Sequence, residues 1–248
     1  MISINTNYGS LFASKSASAA QKTMNTAMER LSSGLRINNA KDDAAGQGIA
    51  TRLSAELMGL QMASRNASDA QSMIDTAEAA HQEVHSMLLR MRELAVQAQN
   101  GTLQTADKTA LGAEFDALEA EITRISDNTT WGGLKILDDT TTFSFRVGTS
   151  ENISHSISDM AATAIGGFTS SHTVAQASTI AVLDASIAKV SEERANLGAV
   201  SNRLDSTVTN LDQIRVNLTA SKGRIEDADF AEETGNLAKG QILQQAAT

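Results

Sequence analysis

From Leu183 onward aliphatic residues recur at alternating steps of four and three. Leu183, Ile187, Val190, Leu197, Leu204, Val208, Leu211 and Leu218 carry the stripe, and Arg194, Ser201 and Arg215 fill its remaining places. Sustained over five heptads with no Pro and only Gly198 inside, this is the pattern of a helix in a coiled-coil seam. It predicts one helix over about residues 179–225, roughly 65 Å long at 1.5 Å per residue. So narrow and long a stripe cannot be buried alone and requires equally long helical partners.

A partner precedes it. Ala44–Gln99 has no Pro, and in its later half Ala70, Ile74, Ala77, His81, Val84, Leu88, Met91 and Ala95 follow the same step. Asn100-Gly101-Thr102 signals a turn, and Leu111, Phe115, Leu118, Ile122 and Ile125 predict a third helix over Gln104–Ser126 that returns antiparallel through so short a connection. Between Asp127 and Ser178 the period changes to two. Phe143-Ser144-Phe145-Arg146-Val147 and Ile153-Ser154-His155-Ser156-Ile157 alternate, Trp131-Gly132-Gly133-Leu134 is a Gly-broken strand, and Thr140–Thr142 and Ser170–Ser171 fall in expected turns. The predicted fold is mainly α, an elongated antiparallel coiled-coil-like helical bundle with a small β-hairpin region.

Both ends are weaker. Tyr8, Leu11, Phe12, Met24, Met28 and Leu31 near one terminus, and Leu237, Ile242 and Leu243 near the other, form apolar stripes too thin for independently stable helices. Gly34, Asn38 and Asn39 punctuate the first of these, and Asp42 or Asp43 is placed to cap the next helix. Marginal ends flanking strong middle helices describe a subunit whose termini order on assembly.

Composition sharpens this picture. Aromatics are 3% of the chain while hydrophobic residues are 41%, which favours thin aliphatic seams over a core packed around rings. The absence of Cys excludes disulfides and thiolate chemistry. A net charge of −9 with no basic block excludes nucleic acid as a partner. There is neither a secretory signal pattern nor an apolar run long enough to span a membrane, so ordinary rules place the protein in the cytoplasm.

Several strings resemble bacterial flagellin: Ile4-Asn5-Thr6-Asn7, Glu29-Arg30-Leu31-Ser32-Ser33-Gly34-Leu35-Arg36-Ile37-Asn38, Ala40-Lys41-Asp42-Asp43-Ala44-Ala45-Gly46, Ala63-Ser64-Arg65-Asn66-Ala67, Arg92-Glu93-Leu94-Ala95-Val96-Gln97-Ala98 and Ser221-Lys222-Gly223-Arg224-Ile225-Glu226-Asp227-Ala228-Asp229. The resemblance covers residues 1–138 and 176–248 in the family's order. It implies a structural subunit that polymerises into the extracellular flagellar filament used for motility. It also implies export, unfolded, through the flagellar channel, an export chaperone, a cap protein, and self as principal partner. Residues 1–42 with 222–248 are expected to form an assembly-ordered inner domain and 43–221 a helical rod. Residues 127–178 are its β-hairpin insert, a short form lacking most of the variable outer domains. The family continues past Leu243-Gln244-Gln245-Ala246, whereas this chain stops at Thr248, which implies a truncated or a short inner helix.

The site candidates are few. His81-Gln82-Glu83-Val84-His85 sets two His at i and i+4, as in the zinc pair of a metal-dependent peptidase. Its Glu is one place late for H-E-x-x-H and His81 lies on the apolar seam, so metal, cofactor and catalysis are rejected. Arg90, Leu94 and Glu114 match flagellin positions contacted by a vertebrate Toll-like receptor, and the same surface is suited to protofilament contacts. Sequons at Asn66, Asn128, Asn152 and Asn217 read as chance; Ser and Thr between Thr140 and Ser171 are better modification candidates. A hook–filament junction protein shares this helical plan, and the Leu31–Asn38 and Asp42–Gly46 strings disfavour it.

Overall fold

The computed structural model describes residues 7–138, 141–148, 151–166 and 174–247. The described elements run, in order, α1 (Tyr8–Ser33), α2 (Ala44–Ala98), α3 (Thr105–Asn128), β1 (Thr130–Trp131), β2 (Leu134–Lys135), β3 (Thr141–Arg146), β4 (Asn152–Ile157), α4 (Ala162–Gly166), α5 (Ala177–Glu226) and α6 (Phe230–Ala247). They divide into two compact units: Met1–Gly59 with Gln213–Thr248, and Leu60–Asp212. The divisions fall inside helices, between Gly59 and Leu60 of α2 and between Asp212 and Gln213 of α5, rather than at residues 42 and 222.

Local chemistry sets the helix ends. Asp43 caps α2, its Oδ1 accepting from the Gly46 N–H at 2.9 Å. The neighbouring Asp42 serves the loop before it, with Oδ2 accepting from the backbone of Asn39 at 3.0 Å and of Asn38 at 3.2 Å. The Asn39 N–H is the main reason that its carboxyl sits below the usual range. A side chain at Gly46 would collide with the Asp43 carboxylate and the Ile37 side chain, so a larger residue there must displace the cap.

In the Leu60–Asp212 unit the core draws on α2, α3, the strands, α4 and α5. Arg194 meets Glu78 and Arg92 meets Asp184, so rising numbers along α2 face falling numbers along α5 and the two are antiparallel. The stripe of α5 is unequal. Leu183, Val190, Leu197, Leu204 and Leu211, spaced by sevens, are buried, whereas Ile187, Val208 and Leu218 are half-buried. On α2 every residue of the four-three series from Ala70 to Ala95 is buried, together with Ala67, Met73, Leu94 and Ala98. Its apolar face is broad because α3 and the strands join α5 in the same core.

The β region is two hairpins. β1 and β2 pair antiparallel around Gly132 and Gly133, whose φ of 58° and 85° are the conformations that a two-residue hairpin turn requires. β3 and β4 pair antiparallel from Thr141↔Ile157 to Arg146↔Asn152, with Phe143, Ile153 and Ile157 turned into the core. Thr141 and Thr142 belong to β3 rather than to the expected turn, because pairing with Ile157 and Ser156 carries the strand past the aromatic alternation. The Ser170–Ser171 turn lies outside the described residues.

Candidate functional site

In the unit that holds both ends of the chain, α1 and α6 run antiparallel. Asn7 caps α1 through its side chain to the Ser10 N–H at 3.2 Å, and Gly34 ends it at φ 74°. Asp229 opens α6, its Oδ1 accepting from Ala231 N at 2.8 Å, and Glu232 and Glu233 occupy the first turn, where the helix dipole favours anions. The helices meet through small residues. Ala20 and Ala27 of α1 and Gly240 of α6 are buried, and a Cβ on Gly240 would come within 3.2 Å of Met24 Cβ.

Polar bonds lock this register. Arg30 Nη1 donates to Glu233 Oε1 at 2.7 Å, and the Glu233 side chain is only 8% exposed. Asn236 Nδ2 donates to its other oxygen at 3.4 Å. A single bridge of Leu35 with Asp227 closes the base of the pair, with Arg36 N donating to Glu226 O at 2.6 Å and Ala228 N to Gly34 O at 3.0 Å.

The outer faces of the same helices are apolar and uncovered. Tyr8, Phe12 and Leu11 of α1 are 77%, 73% and 70% exposed, and Ile242 of α6 is 65% exposed; Phe230 and Leu243 join them. A groove of about 660 Å³ runs between Phe12, Ser16 and Thr23 on one side and Asn236, Lys239 and Leu243 on the other. An apolar surface of this kind marks an interaction site.

In the second unit Arg90 and Glu114 come together: Arg90 Nε donates to Glu114 Oε1 at 2.9 Å, and Nη1 reaches Glu93 at 3.0 Å. Both partners are exposed. Leu94, one turn along α2, is 1% exposed and belongs to the core, so the three residues do not share one surface. His81 is buried and His85 half-buried. His81 Nδ1 lies 2.6 Å from Ala77 O, and among the described residues no group of three or more His, Cys, Asp or Glu is arranged to hold a metal ion. No described helix is long and apolar enough to cross a membrane.

Sequence reasoning missed the Arg30–Glu233 clamp and the role of Gly240. One signal was available: Ala20 and Ala27 recur at a heptad interval in the first helix, which suits a close helix contact.

Residues 4–142 match the bacterial flagellin N-terminal helical region, and residues 180–248 the C-terminal one. The chain is 46% identical to a flagellin of Halalkalibacterium halodurans over 89% of its own length and 84% of that protein's. It is 39% identical to a flagellin of Bacillus subtilis, over 94% and 88% respectively. Among solved structures, Bacillus cereus flagellin superposes with a TM-score of 0.53 at 31% identity, covering 59% of this chain and 88% of that one. A putative flagellar hook-associated protein of Vibrio parahaemolyticus gives a TM-score of 0.65 at 14% identity, over 75% and 100%, a likeness of fold alone.

Proposed function

Because the chain belongs to the flagellin family, a family of structural proteins, we propose that it is a structural subunit of the extracellular flagellar filament and works in motility by self-assembly. The observation that carries this reading is the exposed apolar face of α1 and α6. Left in water it favours association, and copies of the same chain are the partners that a homopolymer supplies. In this reading residues 1–42 with 222–248 form the inner domain, 43–221 form the rod, and 127–178 are its short insert.

The finer parts of the proposal follow from family membership. The chain is exported unfolded, with a chaperone and a cap protein serving it before and at assembly, and it carries out no catalysis. Arg90 and Glu114, exposed and paired, present the polar part of a surface that serves protofilament contacts in the polymer and a vertebrate Toll-like receptor in the monomer. Leu94 supports that surface from the core.

Amide hydrogen exchange on monomer and polymer tests the assembly reading. Tyr8–Ser33 and Phe230–Ala247 should exchange fast in the monomer and be protected in the polymer. Equal protection in both states would mean that these helices are not where subunits meet.

A further inference from the structure

The Leu60–Asp212 unit carries a cleft that assembly through α1 and α6 does not use. It holds about 360 Å³ and is bounded by Asn66 and Asp69 of α2, Trp131 of β1, and Phe145 and Arg146 of β3. Its floor is Ala70 and Met73, both buried. That volume lies near the bottom of the roughly 300–1,000 Å³ of small-molecule clefts, which is room for one ring rather than a chain.

The walls are fixed before any ligand arrives. Asn66 Nδ2 donates to Arg146 O at 3.2 Å, which ties α2 to β3. Phe145 stacks on Phe143, with ring centroids 6.5 Å apart and planes 8° from parallel, and Phe143 is anchored in the core. Trp131 leads directly into the turn at Gly132 and Gly133. It is the chain's sole Trp, and 37% of it is exposed. The rim is ionic: Asp69 and Arg146 are both exposed, a carboxylate that accepts and a guanidinium that donates. Arg146 is already engaged, and its five N–H donors exceed what one partner uses.

This combination selects the chemistry of the guest. An anion would face Asp69 and a cation would face Arg146, so neither sign of charge is welcome. A wholly apolar guest would desolvate both charges without replacing their hydrogen bonds. A neutral ring with hydroxyls on its rim and C–H groups on its face meets every wall. Its hydroxyls donate to the carboxylate and accept from the guanidinium, both as charge-assisted bonds. Its C–H face carries a slight positive charge and suits the negative face of an indole.

We propose that this cleft is a saccharide site, in which Trp131 stacks on one pyranose ring while Asp69 and Arg146 hold its hydroxyls. The site is intrinsic to this unit and does not rest on the filament reading.

The test is a fluorescence titration of the full-length monomer with methyl β-galactoside, methyl α-glucoside and N-acetylglucosamine, beside glycerol and adenosine. With a single Trp in the chain, tryptophan emission reads this cleft alone. At least one sugar should give a saturable change with Kd of about 1–10 mM, and glycerol should give none. Asp69→Ala should weaken that binding about tenfold or more, because the bond to a charged acceptor is lost. Asp69 is exposed on α2 and Ala is the best helix former, so the variant keeps its helices, which circular dichroism checks. Four results overturn the proposal: no saturable change with any sugar up to about 100 mM, an equal response to glycerol, adenosine bound as tightly as the best sugar, or unchanged affinity in Asp69→Ala.

Discussion

Arg30 and Glu233 are 203 residues apart in the chain, and their side chains meet at 2.7 Å. With the Glu233 carboxylate almost buried and the guanidinium Nε also buried, the pair fixes the angle at which α1 and α6 present their apolar outer faces. Removing one partner strands the other, which costs more than the pair itself contributes. Arg30→Ala should therefore destabilise the α1–α6 pairing by roughly 1–3 kcal/mol. Circular dichroism of the polymer, where this pair is ordered, should record a lower melting midpoint. An unchanged midpoint would mean that the clamp is decorative.

Gly240→Leu tests the close approach on the same pair. Its first side-chain atom would meet Met24 Cβ at 3.2 Å and the Ala20 carbonyl at 3.5 Å, so the helices must separate at a cost of about 1–3 kcal/mol. Faster amide exchange of α1 in the polymer is the expected readout, and exchange like the parent's would place the contact elsewhere.

Leu204 lies at the fully buried heptad position of α5. Leu204→Asp loses about 1.5–3 kcal/mol of aliphatic burial and leaves an unpaired carboxylate to desolvate. The Leu60–Asp212 unit should melt well below the parent's midpoint. Ser206→Asp is the control: Ser206 is exposed, its hydroxyl bonds back to Asn202 O, and the change should stay within about 0.5 kcal/mol. Thr207 is the poorer control because it is half-buried. Equal melting of both variants would remove the heptad frame.

Zinc added in excess should leave the melting midpoint where it is, since a ligand stabilises only by binding the native state. His81 is sealed in the core with Nδ1 committed to Ala77 O. A zinc-dependent rise that disappears in His81→Ala would reinstate the metal site.

What was legible in the sequence is what depends on periodicity. The stripe from Leu183 to Leu218 and the series from Ala70 to Ala95 mark α5 and α2 because a long helix must repeat its buried side at every heptad. The alternation at Phe143–Val147 marks β3 for the same reason at period two. Contacts between sequence-distant polar residues carry no period. Nothing in Arg30 or Glu233 alone announces the other, and Ser158 meets Glu193 only after β4 is laid against α5. The depth difference between Leu204 and Val208 is likewise tertiary: both satisfy the step of four, and only packing shows which points inward.

Electron microscopy of the full-length chain beside a variant lacking residues 1–40 shows whether the α1–α6 face builds the polymer. The parent should form long filaments of uniform diameter. The variant should form none while circular dichroism still reports folded middle helices. Discrete oligomers from the parent, or filaments from the variant, would contradict assembly through the α1–α6 face.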